Sequence, residues 1–144
     1  MLTTNQKGAV AETAIAHEAI KLGIGVYRPY ADERFDLVFD LGAEFLRVQC
    51  KSARRRGEVL VIGLYSRCRS PRGVVTRLYT ADEVDAFAAY CAETGQCYFF
   101  RTAGLGVTRA IQLRLGPTRN NQERGVRWAE EYEFAATLAR RLGP

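Results

Sequence analysis

The sequence contains very little histidine and no closely paired cysteines. His17 is the only histidine among 144 residues, and Cys50, Cys68, Cys91 and Cys97 form no C-x-x-C pair. These shortages exclude a zinc knuckle and a Cys/His finger. Buried free thiols are usual in a reducing compartment, and a Cys91–Cys97 disulfide is the one bridge left open.

Long apolar segments are also missing. No run approaches the ~18–20 uninterrupted apolar residues of a membrane span, and the first residues lack a signal-peptide pattern. We therefore expect a cytoplasmic protein with no membrane partner. Repeats, linkers and low-complexity stretches are absent too, and 144 residues with 47% apolar content suit one domain over residues 1–144.

Lysine is scarce, whereas arginine is abundant. Lys7, Lys21 and Lys51 are the only lysines among 21 basic residues, and the formal net charge is +5. Arginine forks match phosphate oxygens in pairs, so this excess favours a polyanionic partner such as nucleic acid. Genome base composition or life at high temperature would produce the same bias, so charge alone does not decide the partner.

Two alternating runs around Gly42-Ala43 predict a β-hairpin over residues 34–52. Glycine suits the first position of a two-residue turn, and the strand partners then have numbers that sum to 85. Asp36 stands opposite Gln49, about 4.5–5.5 Å away at Cβ, with Lys51 on the diagonal. The other face is expected to be core and carries Leu37, Phe39, Leu46, Val48 and Cys50.

The remaining patterns predict a single α/β domain with a mixed central sheet. A first helix, capped by Thr4 or Asn5, runs to about Leu22. A second helix begins at the capping-box pattern Thr80–Glu83 and runs to about Ala92, and a last helix spans the mid-120s to Leu142. Strands are expected at 25–28, 59–65, 74–79, 96–101 and 108–115, with a charged turn at 53–58 and a loop at 66–73.

Glu12 is oddly placed for an acidic residue. On the wheel of the first helix it falls among small and apolar side chains and away from the polar arc. A carboxylate in such a place costs several kcal/mol unless it is paired or bound to a cation. Glu12 would therefore either bind a metal ion or pair with a nearby arginine.

Glu12, Asp36, Gln49 and Lys51 together suit metal-assisted hydrolysis of a phosphodiester. Mg²⁺ prefers oxygen ligands and uses one or two carboxylates, here Glu12 and Asp36. The Gln49 amide and the Cys50 backbone carbonyl would add further oxygens. Lys51 would orient the attacking water or stabilise the developing charge. Taken singly, the same residues would be a solvated strand face and a surface lysine.

At these positions the sequence resembles the PD-(D/E)XK nuclease superfamily, and within it the bacterial group I intron-associated homing endonucleases. The resemblance rests on Asn5-x-Lys7-Gly8-x-x-Ala11-Glu12, Phe35-Asp36-Leu37-Val38, Val48-Gln49-x-Lys51, Val84-Asp85-x-Phe87, Arg114-Leu115-x-Pro117-x-x-Asn120-Asn121-Gln122 and Trp128-Ala129. It implies a restriction-endonuclease-like αβββαβ core and cleavage of double-stranded DNA with Mg²⁺, or Mn²⁺ as a substitute, by a homodimer or homotetramer. It also implies that Glu12 and Asp36 are metal ligands and that Lys51 is the catalytic lysine.

Two positions depart from the superfamily pattern. Phe35 replaces the proline before the aspartate, and Gln49 replaces the usual second acid. The second change removes one negative charge, which leaves open weaker metal affinity, a need for Glu12 as the missing charge, or an inactive site. The sequence therefore carries three hypotheses: a homing-type endonuclease, a structure-specific repair or junction-resolving nuclease, and a non-catalytic DNA-binding protein of the same fold.

Seven arginines in two basic segments are candidates for DNA contact: Arg54, Arg55, Arg56, Arg67, Arg69, Arg72 and Arg77. Phosphate contacts would make the affinity fall steeply with salt, whereas base contacts would require arginines that reach guanine edges. Each arginine would otherwise be a solvated turn residue. Residues 120–122 would cap the last helix or contact DNA, and a Trp128/Tyr132 stripe would be core or a subunit interface.

Overall fold

A five-stranded mixed sheet forms the centre of the molecule. The computed structural model describes residues 1–118, 120 and 123–142. Within these residues the elements are α1 (Thr4–Lys21), β1 (Gly25–Tyr27), β2 (Leu37–Asp40), β3 (Phe45–Ser52), β4 (Arg54–Arg56), β5 (Val59–Gly63), β6 (Tyr65–Ser70), β7 (Gly73–Leu78), β8 (Ala86–Cys91), β9 (Gln96–Arg101), β10 (Ala110–Arg114), a 3₁₀ turn (Ala129–Tyr132) and α2 (Phe134–Leu142).

The strands divide into three groups. The central sheet has the order β1-β2-β3-β8-β9, in which β3 and β8 are parallel and the other neighbours are antiparallel. A smaller antiparallel sheet has the order β10-β5-β4, and β6 pairs with β7 as a separate hairpin. The predicted mixed α/β class is confirmed. None of the helices in the described part of the chain is long and apolar enough to cross a membrane.

The register of the β2–β3 hairpin is the predicted one. Leu37 pairs with Val48 and Phe39 with Leu46, so partner numbers sum to 85. Gly42 has a φ of 90°, a conformation that glycine adopts without strain, and the Leu41 amide closes the turn on the Glu44 carbonyl at 2.9 Å. This register fixes which side chains lie beside each other at the start of β2.

Two apolar clusters cover the two faces of the central sheet. The first joins α1 and α2 to one face through Ile15, Phe39, Phe99 and Phe134, among others. The second joins the β10-β5-β4 sheet to the other face. All five side chains predicted for the core face of the hairpin are buried and belong to the first cluster. The central sheet therefore lies between a helical layer and a second sheet.

Helix α1 begins one residue earlier than predicted. Thr3, and not Thr4 or Asn5, is the N-cap, and it forms a capping box with Gln6. The helix ends before Gly23, whose φ is 83°. The buried face of the helix contains Ala11, Ile15 and Ala19. Glu12 follows Ala11 and therefore lies at the edge of this buried face.

The helix predicted over 80–92 is wrong. Thr80 and Glu83 do make capping contacts, with the Thr80 amide donating to Glu83 Oε1 at 3.2 Å, but only one turn follows. Residues 86–91 instead form β8 in the middle of the sheet. Because β8 is covered on both faces, its side chains are nearly all apolar, and a continuous apolar run does not distinguish a helix from a central strand.

The segments predicted as charged turn and loop also form strands. Arg54–Arg56 is β4, paired with β5, and the turn lies at Gly57. Residues 66–73 contribute most of a hairpin whose tip is Pro71-Arg72, since Ser70 pairs with Gly73. Three of the six residues of β6 are exposed, and this strand lacks the apolar alternation that reveals a half-buried strand. The strand predicted at 74–79 corresponds to β7.

The last helix begins later than predicted. Glu133 adopts an extended conformation and its carboxylate accepts the amides of Ala135 and Ala136, so α2 starts at Phe134. Tyr132 packs edge-on against Phe100 with 6.3 Å between ring centroids, which makes it an intramolecular contact. Asn121 and Gln122 lie outside the described residues. All four cysteines are free, so the Cys91–Cys97 bridge is not formed.

Arg47 and Asp85 fasten the parallel strands together where both begin. The Asp85 carboxylate accepts the Arg47 amide at 2.8 Å and two guanidinium hydrogen bonds at 3.0 Å. This contact lowers the pKa of Asp85. The stabilisation is therefore present above about pH 4 and is lost as the pH falls towards the lowered pKa.

We expect Asp85→Asn to lower the free energy of unfolding by about 1–3 kcal/mol, because several charge-assisted bonds to one acceptor are lost or weakened. Urea denaturation at pH 7 measures this change. At acidic pH the difference from the wild type should shrink, and a constant difference would contradict the role of the Asp85 charge.

Candidate active site

Asp36 lies at the point where β2 and β3 first pair. Its amide donates to the Val48 carbonyl at 2.9 Å, and its Oδ2 accepts the Cys50 amide at 3.0 Å. The Cys50 side chain turns the other way, into the first apolar cluster. The carboxylate is thus held by one backbone amide of the neighbouring strand, in the register that the turn at Gly42 sets.

Glu12 reaches the same place from α1. Glu12 and Asp36 both line one open groove, which we call the acidic groove and which also includes Arg28, Asp32 and Glu33. The Glu12 side chain is 26% exposed and pairs with the Arg28 guanidinium at 3.4 Å. Because the arginine side chain is 79% exposed, this pair is weak and easily exchanged. Glu12 therefore does both things expected of it: it pairs with an arginine, and it lies in the same groove as Asp36.

The two carboxylates are electrostatically strained. Burial raises the pKa of Asp36, and its hydrogen bond from Cys50 and the charges of Lys51 and Arg28 only partly oppose this. Burial also raises the pKa of Glu12, and the charge of Asp36 raises it further. Two desolvated carboxylates that repel each other are the donors whose charge a divalent cation would neutralise. Among the described residues, no cluster of three or more His, Cys, Asp and Glu side chains has metal-ligand geometry.

Gln49 is one of two buried polar residues in the described chain. It is 9% exposed. Among the described residues, the buried side-chain polar atom without a hydrogen-bond partner is Arg101 Nε, so the Gln49 amide is not a buried unpartnered group. The hairpin register places Gln49 opposite Asp36, but Gln49 is not among the residues that line the acidic groove.

Lys51 is held by the base of the β6–β7 hairpin. Its Nζ donates to the Tyr65 carbonyl at 2.8 Å and lies 4.9 Å from the centre of the Tyr79 ring. Burial lowers the pKa of Lys51, and the nearby charge of Asp36 opposes that shift. The Lys51 ammonium therefore interacts electrostatically with Asp36, while its hydrogen bond to Tyr65 of β6 fixes its direction.

Sequence patterns did not indicate Arg34, which links this hairpin to the rest of the site. The guanidinium lies 4.0 Å from the Tyr79 ring centre and donates to the Ser66 hydroxyl, the Leu78 carbonyl and the Glu83 carboxylate. Its partners are far apart in sequence, so no local spacing could have identified it. Arg34 fixes the base of the hairpin beside Lys51.

The seven candidate DNA-binding arginines differ in whether their side chains form ion pairs with carboxylates. Arg55 pairs with Glu58 at 3.4 Å and donates to the Gly57 carbonyl, and Arg77 pairs with Glu83 at 2.7 Å. Five others make no ion pair with a described residue and are exposed: Arg54, Arg56, Arg67, Arg69 and Arg72. Arg67 and Arg69 share one face of the hairpin, because residues two apart in a strand do so.

Comparison with known sequences decides the family. A sequence model described as PD-(D/E)XK endonuclease matches residues 2–135. The chain belongs to the PD-(D/E)XK endonuclease family. The resemblance drawn from the motifs around Asp36 is thereby confirmed, and so is the nuclease class.

One solved structure is similar over nearly the whole chain of this PD-(D/E)XK endonuclease. It is described as a bacterial homing endonuclease, I-Ssp6803I, and superposes with a TM-score of 0.75 at 28% sequence identity. The match covers 95% of this chain and 93% of the other. A search of curated proteins found no match.

Proposed function

We propose that this PD-(D/E)XK endonuclease hydrolyses phosphodiester bonds of double-stranded DNA with a divalent cation, as a site-specific enzyme of the homing type. The observation that carries the proposal is the meeting of Glu12 and Asp36 in one groove, within electrostatic reach of Lys51. An acid from a helix, an acid from a strand and a lysine from the next strand have little structural reason to meet there unless they share a ligand.

The donor set suits Mg²⁺, for which Mn²⁺ is a common substitute among oxygen-ligand sites. Glu12 and Asp36 would hold the ion, with the Gln49 amide and the Cys50 backbone carbonyl as additional oxygens. When bound, such an ion neutralises charge on the attacked phosphate and lowers the pKa of a bound water. Lys51 would direct its ammonium at the same phosphate and stabilise the charge that develops in the transition state.

The exposed arginines supply the proposed DNA surface. Arg54 and Arg56 project from the small sheet, and Arg67, Arg69 and Arg72 from the β6–β7 hairpin. A two-stranded ribbon of this kind fits the major groove of B-DNA, where arginine forks bind guanine. The two arginines that pair with carboxylates, Arg55 and Arg77, would exchange those partners for phosphate.

The homing assignment is supported by similarity. The solved structure that covers 95% of the chain is described as a homing endonuclease. We include in the proposal a homodimer or homotetramer, because cutting both strands of a duplex requires two active sites or a rearrangement between cuts.

Incubation with plasmid and branched DNA, with Mg²⁺ or Mn²⁺ added or withheld, tests the proposal. We expect metal-dependent cutting of duplex DNA at a discrete position. A nick confined to junctions would replace the homing assignment with a repair function. Salt-sensitive binding without cutting in either metal would overturn catalysis and leave a DNA-binding protein.

A further inference from the structure

A second groove, which we call the basic groove, opens beside Lys51 and shares no residue with the acidic groove. Its volume is about 530 Å³, and its lining includes Lys51, Arg54 and Arg109. No aspartate or glutamate lines it. Three cations therefore converge on one concave surface whose own lining contains no acidic group to neutralise them.

Arg109 is held in this groove by backbone and ring contacts. Its carbonyl accepts the Leu64 amide at 2.8 Å, at the start of β10, so the backbone position is fixed. Its guanidinium carbon lies 5.0 Å from the centre of the Tyr65 ring, within the range of a cation–π contact. The arginine is exposed, and its contact with the Tyr65 ring holds its guanidinium at the groove.

The Tyr65 ring packs closely against the backbone of Gly63. A Cβ atom on Gly63 would come within 2.9 Å of Tyr65 Cε1, so the ring packs directly on the backbone of a glycine. The carbonyl of Tyr65 also accepts the Lys51 ammonium at 2.8 Å. One residue therefore positions both a lysine of the proposed active site and the arginine beside it.

The side chains of Arg54 and Arg109 are exposed, and neither makes an ion pair with any residue in the described ranges. Like charges that converge without a counter-ion repel each other, and an anion removes that cost. Arginine forks bind phosphate oxygens in pairs, which makes phosphate the anion that this donor set fits best.

We propose that the basic groove binds a backbone phosphate of the DNA next to Lys51, with Arg109 as its principal donor and Tyr65 as the residue that positions Arg109. This inference rests on the proposed function, since it takes DNA as the ligand. It adds a contact that the seven arginines singled out from sequence do not include. The Ser52 hydroxyl, also in the lining, is available to the same phosphate.

Affinity for a 30-base-pair duplex, measured in EDTA over a range of salt concentrations, tests the inference without requiring cleavage. Arg109→Gln should weaken binding about tenfold and reduce the slope of log affinity against log salt by about 1. Lys21→Gln is the matched control, because it removes the same charge from the exposed end of α1 and should change neither quantity. Equal behaviour of the two variants would overturn the inference.

Variants at Tyr65 test the positioning role. Tyr65→Phe keeps the ring and should bind like the wild type, whereas Tyr65→Leu should lose nearly as much affinity as Arg109→Gln. The double variant Tyr65→Leu/Arg109→Gln should bind no more weakly than Arg109→Gln alone, since the ring acts through the arginine. Additive losses would show that Tyr65 acts on DNA by another route, through its own contact or through Arg67, whose guanidinium lies 5.2 Å from the same ring centre, and would overturn its role through Arg109.

The test of the phosphate site and the test of DNA cleavage can fail independently of each other. A wild type that binds duplex but never cuts it, together with an Arg109-specific loss, leaves the phosphate site standing and removes catalysis. A wild type that cuts normally, with Arg109→Gln unchanged in affinity and salt slope, removes the phosphate site alone. A thermal melting midpoint that Arg109→Gln leaves unchanged confirms that the variant is folded.

Discussion

Replacing Asp36 with asparagine should reduce DNA cleavage by at least about 10³-fold without destabilising the protein. Asparagine keeps an oxygen that accepts the Cys50 amide at the same position, so the join between β2 and β3 is preserved. What it removes is the negative charge that the proposed cation requires. Single-turnover cleavage in Mg²⁺, with duplex affinity measured in EDTA, separates the lost chemistry from any lost binding.

The stability of this variant follows from the direction of the pKa shift. Because burial raises the pKa of Asp36, the folded protein binds a proton more readily than the unfolded chain does. Stability therefore falls as the pH rises through that interval, and at pH 7 the charged carboxylate opposes folding. Asp36→Asn should melt at the same temperature as the wild type or higher.

Asp85→Asn provides the contrast within the same chain. The pKa of Asp85 is lowered by Arg47, so this carboxylate favours folding at neutral pH and its loss should destabilise the protein. If Asp36→Asn were as destabilising as Asp85→Asn, Asp36 would be a structural carboxylate. The two variants change the same atoms and differ only in the surroundings of the charge.

A divalent cation should also stabilise the wild type selectively. Ligand present at 100 times its dissociation constant adds about 2.7 kcal/mol to the free energy of unfolding. Ca²⁺ or Mg²⁺ should therefore raise the melting midpoint of the wild type and leave that of Asp36→Asn unchanged. The same rise in both proteins would place the cation elsewhere.

Replacing Lys51 with methionine should lower the rate of cleavage by about 10²–10⁴-fold. Methionine keeps most of the length of the side chain but has no ammonium to stabilise charge at the phosphate. Burial already disfavours the ammonium in the folded protein, so the loss of the hydrogen bond to Tyr65 should be at least partly offset. Lys21→Met, at an exposed lysine, is the control and should cleave at the wild-type rate.

The pH dependence of the wild type tests what Lys51 does. Since its pKa is lowered, the ammonium is lost at a lower pH than that of an ordinary lysine. If the charged form stabilises the transition state, single-turnover cleavage should decline on the alkaline side through that range, and the decline should be absent from the residual activity of Lys51→Met. A rate that rises through the same range would instead indicate a neutral lysine that acts as a base.

The parts of the site that were predictable are those fixed by local chemistry. A glycine that tolerates positive φ sets the turn, the turn sets the register, and the register places Asp36 at the Cys50 amide. Glu12 was identifiable because a carboxylate on an apolar helical face needs a partner. The hairpin register and the position of Glu12 both follow from residue patterns within fewer than twenty residues, a range over which periodicity is informative.

The parts that were missed depend on distant contacts. β8 was predicted as a helix because its apolar run gives no information about which elements cover it. Most of β6 was predicted as part of a loop because the strand buries no regular face, whereas the strand predicted at 74–79 corresponds to β7. Arg34 and Arg109 act through residues on other elements, and only the folded chain brings those partners together.

The exposed hairpin has a consequence for how such a protein could acquire new targets. Five of the six residues of β7 are exposed, and the core clusters include none of them. Surface substitutions away from structural contacts usually change stability by less than about 0.5 kcal/mol. If the ribbon reads DNA as proposed, its outer part can diverge under selection for a new recognition sequence, while the Arg34 contacts at its base keep the proposed active site in place.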